Sequence, residues 1–176
     1  YADAAYAATA AEDFLDELLR HGTTTAMVYS TMHTEATDAF FAAARARGLR
    51  MIAGKVLMDR NCPEYLRDLP GGGLDATRAL IQRWHGVDRL SYAVTPRFAA
   101  SSTQAQLAGA GAIAREHPEV FIQTHLAENH AEIALTKQLY PDAAGYLAVY
   151  ERFGLVRDRA VFAHCIHMDH PDRVRM

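Results

Sequence analysis

The sequence contains only two cysteines, Cys62 and Cys165, in 176 residues. They are too few for a disulfide framework and too far apart for a Cys-x-x-Cys metal knuckle, so a reducing, cytoplasmic setting is expected. No run of about 18 apolar residues occurs, so no segment is expected to span a bilayer and no membrane partner is expected. The opening YADAAYAATAAED has neither a basic n-region nor an apolar h-region and is not read as a signal peptide. An excess of one charge is missing too. Eighteen Lys and Arg against 21 Asp and Glu leave a formal −3, which argues against a general binder of nucleic acid or acidic membranes. Low-complexity tracts and interdomain linkers are absent. So are His-Glu-x-x-His, the P-loop, Gly-x-Gly-x-x-Gly after a strand and the Gly-x-Ser-x-Gly elbow, which sets aside the chemistries those motifs serve.

Half of the residues are apolar and 22% are charged, a composition that predicts a packed core rather than disorder. The length suits one domain or part of a larger one. A chain that begins at Tyr1 rather than Met is expected to be a piece of something longer. The periodicity alternates helix and strand. A helix is predicted from about Thr9 to Arg20, with Phe14, Leu15, Leu18 and Leu19 on one stripe, closed by His21-Gly22. A strand follows at Thr23 to Tyr29, then a helix from Thr34 to Arg47. Arg50 to Met58 reads as a strand and Leu74 to Trp84 as a helix. Further pairs are Leu90 to Thr95 with Ser101 to Glu116, and Val120 to Thr124 with Asn129 to Leu139. A helical stretch at Ala143 to Arg152 precedes a last strand at Ala160 to Ala163. Five strands with helical crossovers mean a parallel sheet covered by helices, either doubly wound or a β/α barrel. A complete eightfold barrel needs about 250 residues, so this chain would be part of one. The irregular stretch Asp59 to Gly73 is a long strand-to-helix loop of the kind that borders active sites.

Nine histidines carry most of the chemical signal. In FIQTHLAEN an apolar strand runs into His125, and Glu128 follows three residues later before a helix. In parallel α/β folds, sites gather at the carboxyl edge of the strands. There His125 would offer a ring nitrogen to a metal or substrate, and Glu128 would reach the same space. The spacing fits equally a hydrogen-bonded core histidine and a glutamate that only charges a helix start. In VFAHCIH a second apolar strand ends on a histidine, His164. Two imidazoles converging at one sheet edge favour a metal or acid/base site. Strand alternation turns Cys165 away from His164, as a packed thiol rather than a ligand, and leaves His167 in a loop. Arg97 and Phe98 end a third strand, offering a guanidinium fork and a stacking face. Taken alone, that pair reads as a surface arginine beside a packed phenylalanine. His33 follows a strand and is a weaker pocket candidate. His21, His85, His117, His130 and His170 fall at helix ends or in polar loops, where solvated imidazoles are ordinary.

The segments HGTTTAMVYSTMHTEATDAFFAAARARGLRMIAGKVLMD, VTPRF, FIQTHLAENHAEI and VFAHCIHMD together resemble the guanine deaminases of the amidohydrolase superfamily. The resemblance runs from about Phe14 to the end. His-Leu-Ala-Glu at His125 to Glu128 is shared across many deaminases and chlorohydrolases of that superfamily. Thr-Pro-Arg-Phe and the Glu-Asn-x-x-Glu run from Glu128 to Glu132 narrow it. The resemblance implies an α/β fold, a (β/α)8 TIM barrel of which about strands 2–6 are present. Residues 1–176 would be the central part of one barrel domain. It implies zinc-dependent hydrolytic deamination of guanine to xanthine and ammonia, with one zinc per subunit, or iron in its place, and a homodimer. His125 would be a metal ligand, Glu128 the proton shuttle, and His164 the neighbour of the attacking water and substrate. Arg97, Phe98, His125 and Glu128 would contact the small-molecule purine.

The departures from the family pattern also carry expectations. The family's first two metal ligands form a His-x-His pair after the first strand, and no such pair occurs here. Its last ligand is an aspartate after the eighth strand, beyond Met176; Asp169 and Asp172 sit in a polar loop and are rejected as substitutes. With one of four ligands, this chain alone is expected to be inactive. Two other readings are another superfamily deaminase or chlorohydrolase acting on a different amino-heterocycle, and an inert barrel fragment used for binding or assembly.

Overall fold

A computed structural model describes all residues, 1–176. Helix α1 spans Ala4–Arg20 and starts earlier than the periodicity predicts, because Asp3 caps it by accepting the Tyr6 amide at 2.8 Å. Its inward stripe is Ala7, Ala11, Leu15 and Leu18, a four- and three-residue spacing. Phe14 and Leu19, expected on that stripe, are exposed. Strand β1 (Thr25–Tyr29) leads to α2 (Thr34–Ala46), which buries Phe40, Phe41 and Ala44.

The single strand expected at Arg50 to Met58 is interrupted, giving β2 (Arg50–Gly54) and β3 (Val56–Leu57). Ala53 pairs with Tyr92 and Val56 with Thr95, three residues further along each chain, so the register survives the break. At the break the Lys55 amide donates to the Tyr92 hydroxyl instead of the ladder. The Lys55 ammonium is buried against Asp68, at 2.5 Å, and donates also to the Val56 carbonyl. Asp68 further accepts the Met58 amide and the Gln106 side chain. A buried charge requires such pairing, and this pair staples the long 59–73 loop to the barrel wall.

The rest follows the same alternation: α3 (Gly72–Trp84), β4 (Ser91–Pro96), α4 (Gln104–Glu116), β5 (Phe121–Leu126), α5 (His130–Leu139), α6 (Tyr146–Arg152), β6 (Ala160–His164) and α7 (His170–Arg175). No helix is long and apolar enough to cross a membrane.

All strands are parallel, in the order β1-β2-β4-β5-β6, with β3 extending beside β4. A doubly wound sheet reverses its strand order at a switch point; this order never reverses. The sheet is also curled. In a flat sheet β1 and β5, three strand spacings apart, would lie roughly 14 Å from each other. Instead the Gln123 side chain of β5 donates through Nε2 to the Val28 carbonyl of β1 at 3.0 Å, and the Tyr29 and His125 ring centroids are 4.4 Å apart. The fold is therefore a partial (β/α) barrel. Its main core lies between sheet and helices, around Leu15, Phe41, Tyr92, Leu107, Ile122 and Tyr150.

Candidate active site

Alternation along β5 sends Gln123 and His125 into the barrel interior and Ile122, Thr124 and Leu126 toward the helices. Strand β5 continues one residue past His125, so the imidazole stands just inside the carboxyl-end lip. Its Nδ1 and its backbone amide both meet the Arg97 carbonyl, at 2.6 and 3.1 Å. A carbonyl only accepts, so Nδ1 is the protonated nitrogen and, in the neutral tautomer this selects, Nε2 is the one with the lone pair. The ring packs on Tyr29 and stacks on His164, 5.3 Å between centroids.

His164 arrives there by leaving the pleat. It is the register partner of Leu126, whose side chain is fully buried under the helices, and strand geometry would send the imidazole the same way. Instead His164 and Cys165 adopt φ of +72° and +55°, a left-handed pair that ends β6 and turns the ring onto His125. Non-glycine residues rarely enter this region, and it costs about 1–3 kcal/mol each. The alternation expected to place Cys165 therefore stops one residue early. The thiol nevertheless packs against the core, and burial pushes its pKa up, as befits an inert cysteine. Beyond the turn the Cys165 and His167 amides donate to the carbonyls of Leu126 and Ala127, at 2.8 and 3.0 Å. The two loops after β5 and β6 are thereby tied side by side.

Glu128 lies on the first of these loops, after Ala127 at φ +52°. Its Oε2 is 3.7 Å from His164 Nε2, so the two groups face one point at the lip. Arg97, at the end of β4, holds its guanidinium 5.0 Å over the Phe98 ring. Arg97, Phe98, His125 and Glu128 line one cleft of about 340 Å³ together with Asn129 and Glu132. An adjoining hollow of about 260 Å³ shares Arg97 and His125 and adds Tyr29, His33 and, from the 59–73 loop, Leu66. A larger hollow of about 600 Å³, lined by Asp59, Asp68 and Gln106, has no histidine and shares no residue with the cleft.

Of the remaining histidines, His85 departs from expectation: it is half-buried, accepts the Tyr92 amide at Nδ1, 3.0 Å, and burial lowers its pKa. His130 and His167 pack against each other with tilted rings, 4.1 Å between centroids, outside the cleft. Asp169 caps α7, and Asp172 is buried, accepting the Leu147 amide. Neither is placed as a ligand.

Sequence reasoning missed the supports beneath the site. The Tyr150 hydroxyl donates to the His125 carbonyl at 2.7 Å and accepts the Ala99 amide at 2.9 Å, joining the ends of β4 and β5. Tyr29 presents a buried hydroxyl without a partner, and burial holds its pKa well above the ordinary tyrosine range. The capping box of Asn129 and Glu132 was missed as well, although its Asn-x-x-Glu spacing is a signal that could have found it.

His125 has Nδ1 bonded to a carbonyl and Nε2 without a protein partner, an arrangement common to imidazoles that bind metals. Within these 176 residues, however, no three His, Cys, Asp or Glu side chains are grouped to hold a metal. The sequence model of the Amidohydrolase family matches residues 2–176. The chain belongs to the amidohydrolase family.

This amidohydrolase is 47% identical over 176 residues to a guanine deaminase of Escherichia coli (strain K12), covering 100% of the chain and 40% of that protein. It is 48% identical over 166 residues to a probable guanine deaminase of Deinococcus radiodurans, covering 94% and 38%. The solved E. coli guanine deaminase superposes with a TM-score of 0.97, over 98% of the chain and 40% of that structure, at 47% identity. A guanine deaminase from C. acetobutylicum, with bound guanine in its active site, superposes at 0.93 with 30% identity, over 97% and 41%. The amidohydrolase thus spans about two fifths of the length of these relatives.

Proposed function

We propose that these residues are the central part of a guanine deaminase barrel, converting guanine and water to xanthine and ammonia in the complete enzyme. The observation that carries this reading is the convergence of His125, Glu128, His164 and the Arg97-Phe98 pair at the ends of β4, β5 and β6. The similarity to guanine deaminases, one of them holding guanine, supports the choice of substrate.

His125 Nε2 would be one of the ligands of a zinc ion, completed by groups outside these residues. Bound zinc supplies acidity to water, lowering its pKa from about 15.7 toward about 7. The remaining work belongs to the chain. Arg97 pairs with the acceptor edge of the purine and Phe98 packs on its ring. Glu128 takes one proton of the attacking water and passes it to the ring nitrogen, then takes the second from the oxygen now on the carbon and delivers it to the departing amine, which leaves as ammonia. His164, facing the same point, hydrogen-bonds the oxygen as it adds to the carbon that bears the amino group. The Arg97 carbonyl and Tyr150 keep His125 in orientation while this proceeds. A reducing, cytoplasmic setting, suited to two free thiols, and a homodimer complete the reading.

The test is guanine turnover by the complete, zinc-loaded enzyme, followed by ultraviolet absorbance and ammonia release. Turnover that disappears on chelation is the expected result. Absence of turnover with zinc bound would discard guanine and redirect the search to other amino-heterocycles.

A further inference from the structure

The stretch Asn129-His130-Ala131-Glu132 forms a capping box: Asn129 accepts the Glu132 amide at 2.9 Å, and Glu132 turns back to the Asn129 amide. A helix cap requires no more than this. Here the carboxyl is drawn one residue further. Its Oε2 lies 3.0 Å from the Glu128 amide and 3.4 Å from that of Asn129. Its Oε1 accepts the Tyr146 hydroxyl of α6 at 2.5 Å. Both oxygens are thus used, and both side chains belong to residues only 7% exposed. A surface cap would leave one oxygen to water; burying it requires partners on both sides. Burial, Tyr150 and the bond to Glu132 hold the Tyr146 phenol far above the ordinary range, so it remains a donor.

The Glu128 side chain has little to direct it. It is about half exposed, and the His164 imidazole lies 3.7 Å away. Its direction is therefore set by the backbone. That backbone enters through left-handed Ala127, a conformation that persists where the surroundings hold it in place. The His167 amide holds the Ala127 carbonyl on one side. We propose that Glu132, anchored by Tyr146, is the positioning residue that fixes Glu128 from the other side. This rests on the reading of Glu128 as the proton carrier.

The test compares Glu132→Gln and Tyr146→Phe with the complete, zinc-loaded enzyme. Glu132→Gln should lower kcat for guanine roughly 10- to 100-fold, the scale of a misplaced catalytic group. KM should change much less than kcat and zinc should be retained, since Arg97, Phe98 and His125 keep their places. Tyr146→Phe should move kcat the same way by less, and it decides the matter if Glu132→Gln does not fold. Amide exchange at Glu128, read independently of substrate, should accelerate in both variants. An unchanged kcat in an enzyme that turns over guanine, or a Glu128 amide protected as in the unsubstituted enzyme, would overturn the proposal. If the unsubstituted enzyme fails on guanine, the deaminase reading falls. The Glu128 amide then decides alone: lost protection supports the anchor and retained protection removes it.

Discussion

Glu128 and His164 approach to 3.7 Å without a direct hydrogen bond, leaving their functional atoms available to a third group between them. Replacing Glu128 by Gln keeps the shape and removes the proton acceptor. In the complete enzyme this variant should retain zinc while turnover falls by at least ~10²-fold, the lower end for acid/base catalysis. Near-normal turnover would remove Glu128 from the mechanism. His85 offers a separate test, of stability. Its Nδ1 must be unprotonated to accept the Tyr92 amide, and burial lowers its pKa below the ordinary 6.5. For a group depressed in the folded state, the stabilisation is complete above the unfolded value and is lost as pH falls through the folded one. Urea midpoints should therefore drop as pH falls below the ordinary histidine value of about 6.5, and less so in His85→Gln. Equal pH dependence in both proteins would show that this histidine is not the titrating group.

At the scale of elements, the packing of β2 against β4 depends on Gly54. A Cβ there would stand 1.7 Å from the Ala93 carbonyl oxygen, a backbone atom that has no rotamer to escape into. Gly54→Ala should force the strands apart and destabilise the barrel by at least about 1–3 kcal/mol, the usual range for overpacking. An unchanged thermal or urea midpoint would contradict the close approach. The elements themselves were largely readable, because their signals are local: Phe40, Phe41 and Ala44 mark a helical face within one turn of each other. What sequence did not reveal is how elements end. The interruption at Lys55 depends on Asp68 and Tyr92, and the turn at His164 overrides an alternation that the residues before it obey.

For the molecule as a whole, the consequence concerns metal. His125 has the right tautomer, yet no three ligating side chains gather among residues 1–176. Structural zinc ordinarily takes four protein ligands and catalytic zinc three. The isolated 176-residue chain, dialysed against chelating resin, should therefore retain well under one zinc, and the complete enzyme one per subunit. Stoichiometric zinc in the isolated chain, measured by elemental analysis, would mean that a ligand set has been overlooked.

The sequence by itself determined the succession of parallel strands and helices, and it placed two histidines and an Arg-Phe pair at strand ends. Those features are written in periods of two and 3.6 residues and in the order of neighbours along the chain. The tertiary structure alone decided that the sheet curls into a barrel wall, through Gln123 and Val28, 95 residues apart. It decided the tautomer of His125, through a carbonyl 28 residues away, and the hold on Glu128, through Tyr146, 14 residues beyond Glu132. Such bonds join groups that share no local pattern, and only the closure of the fold brings them within reach.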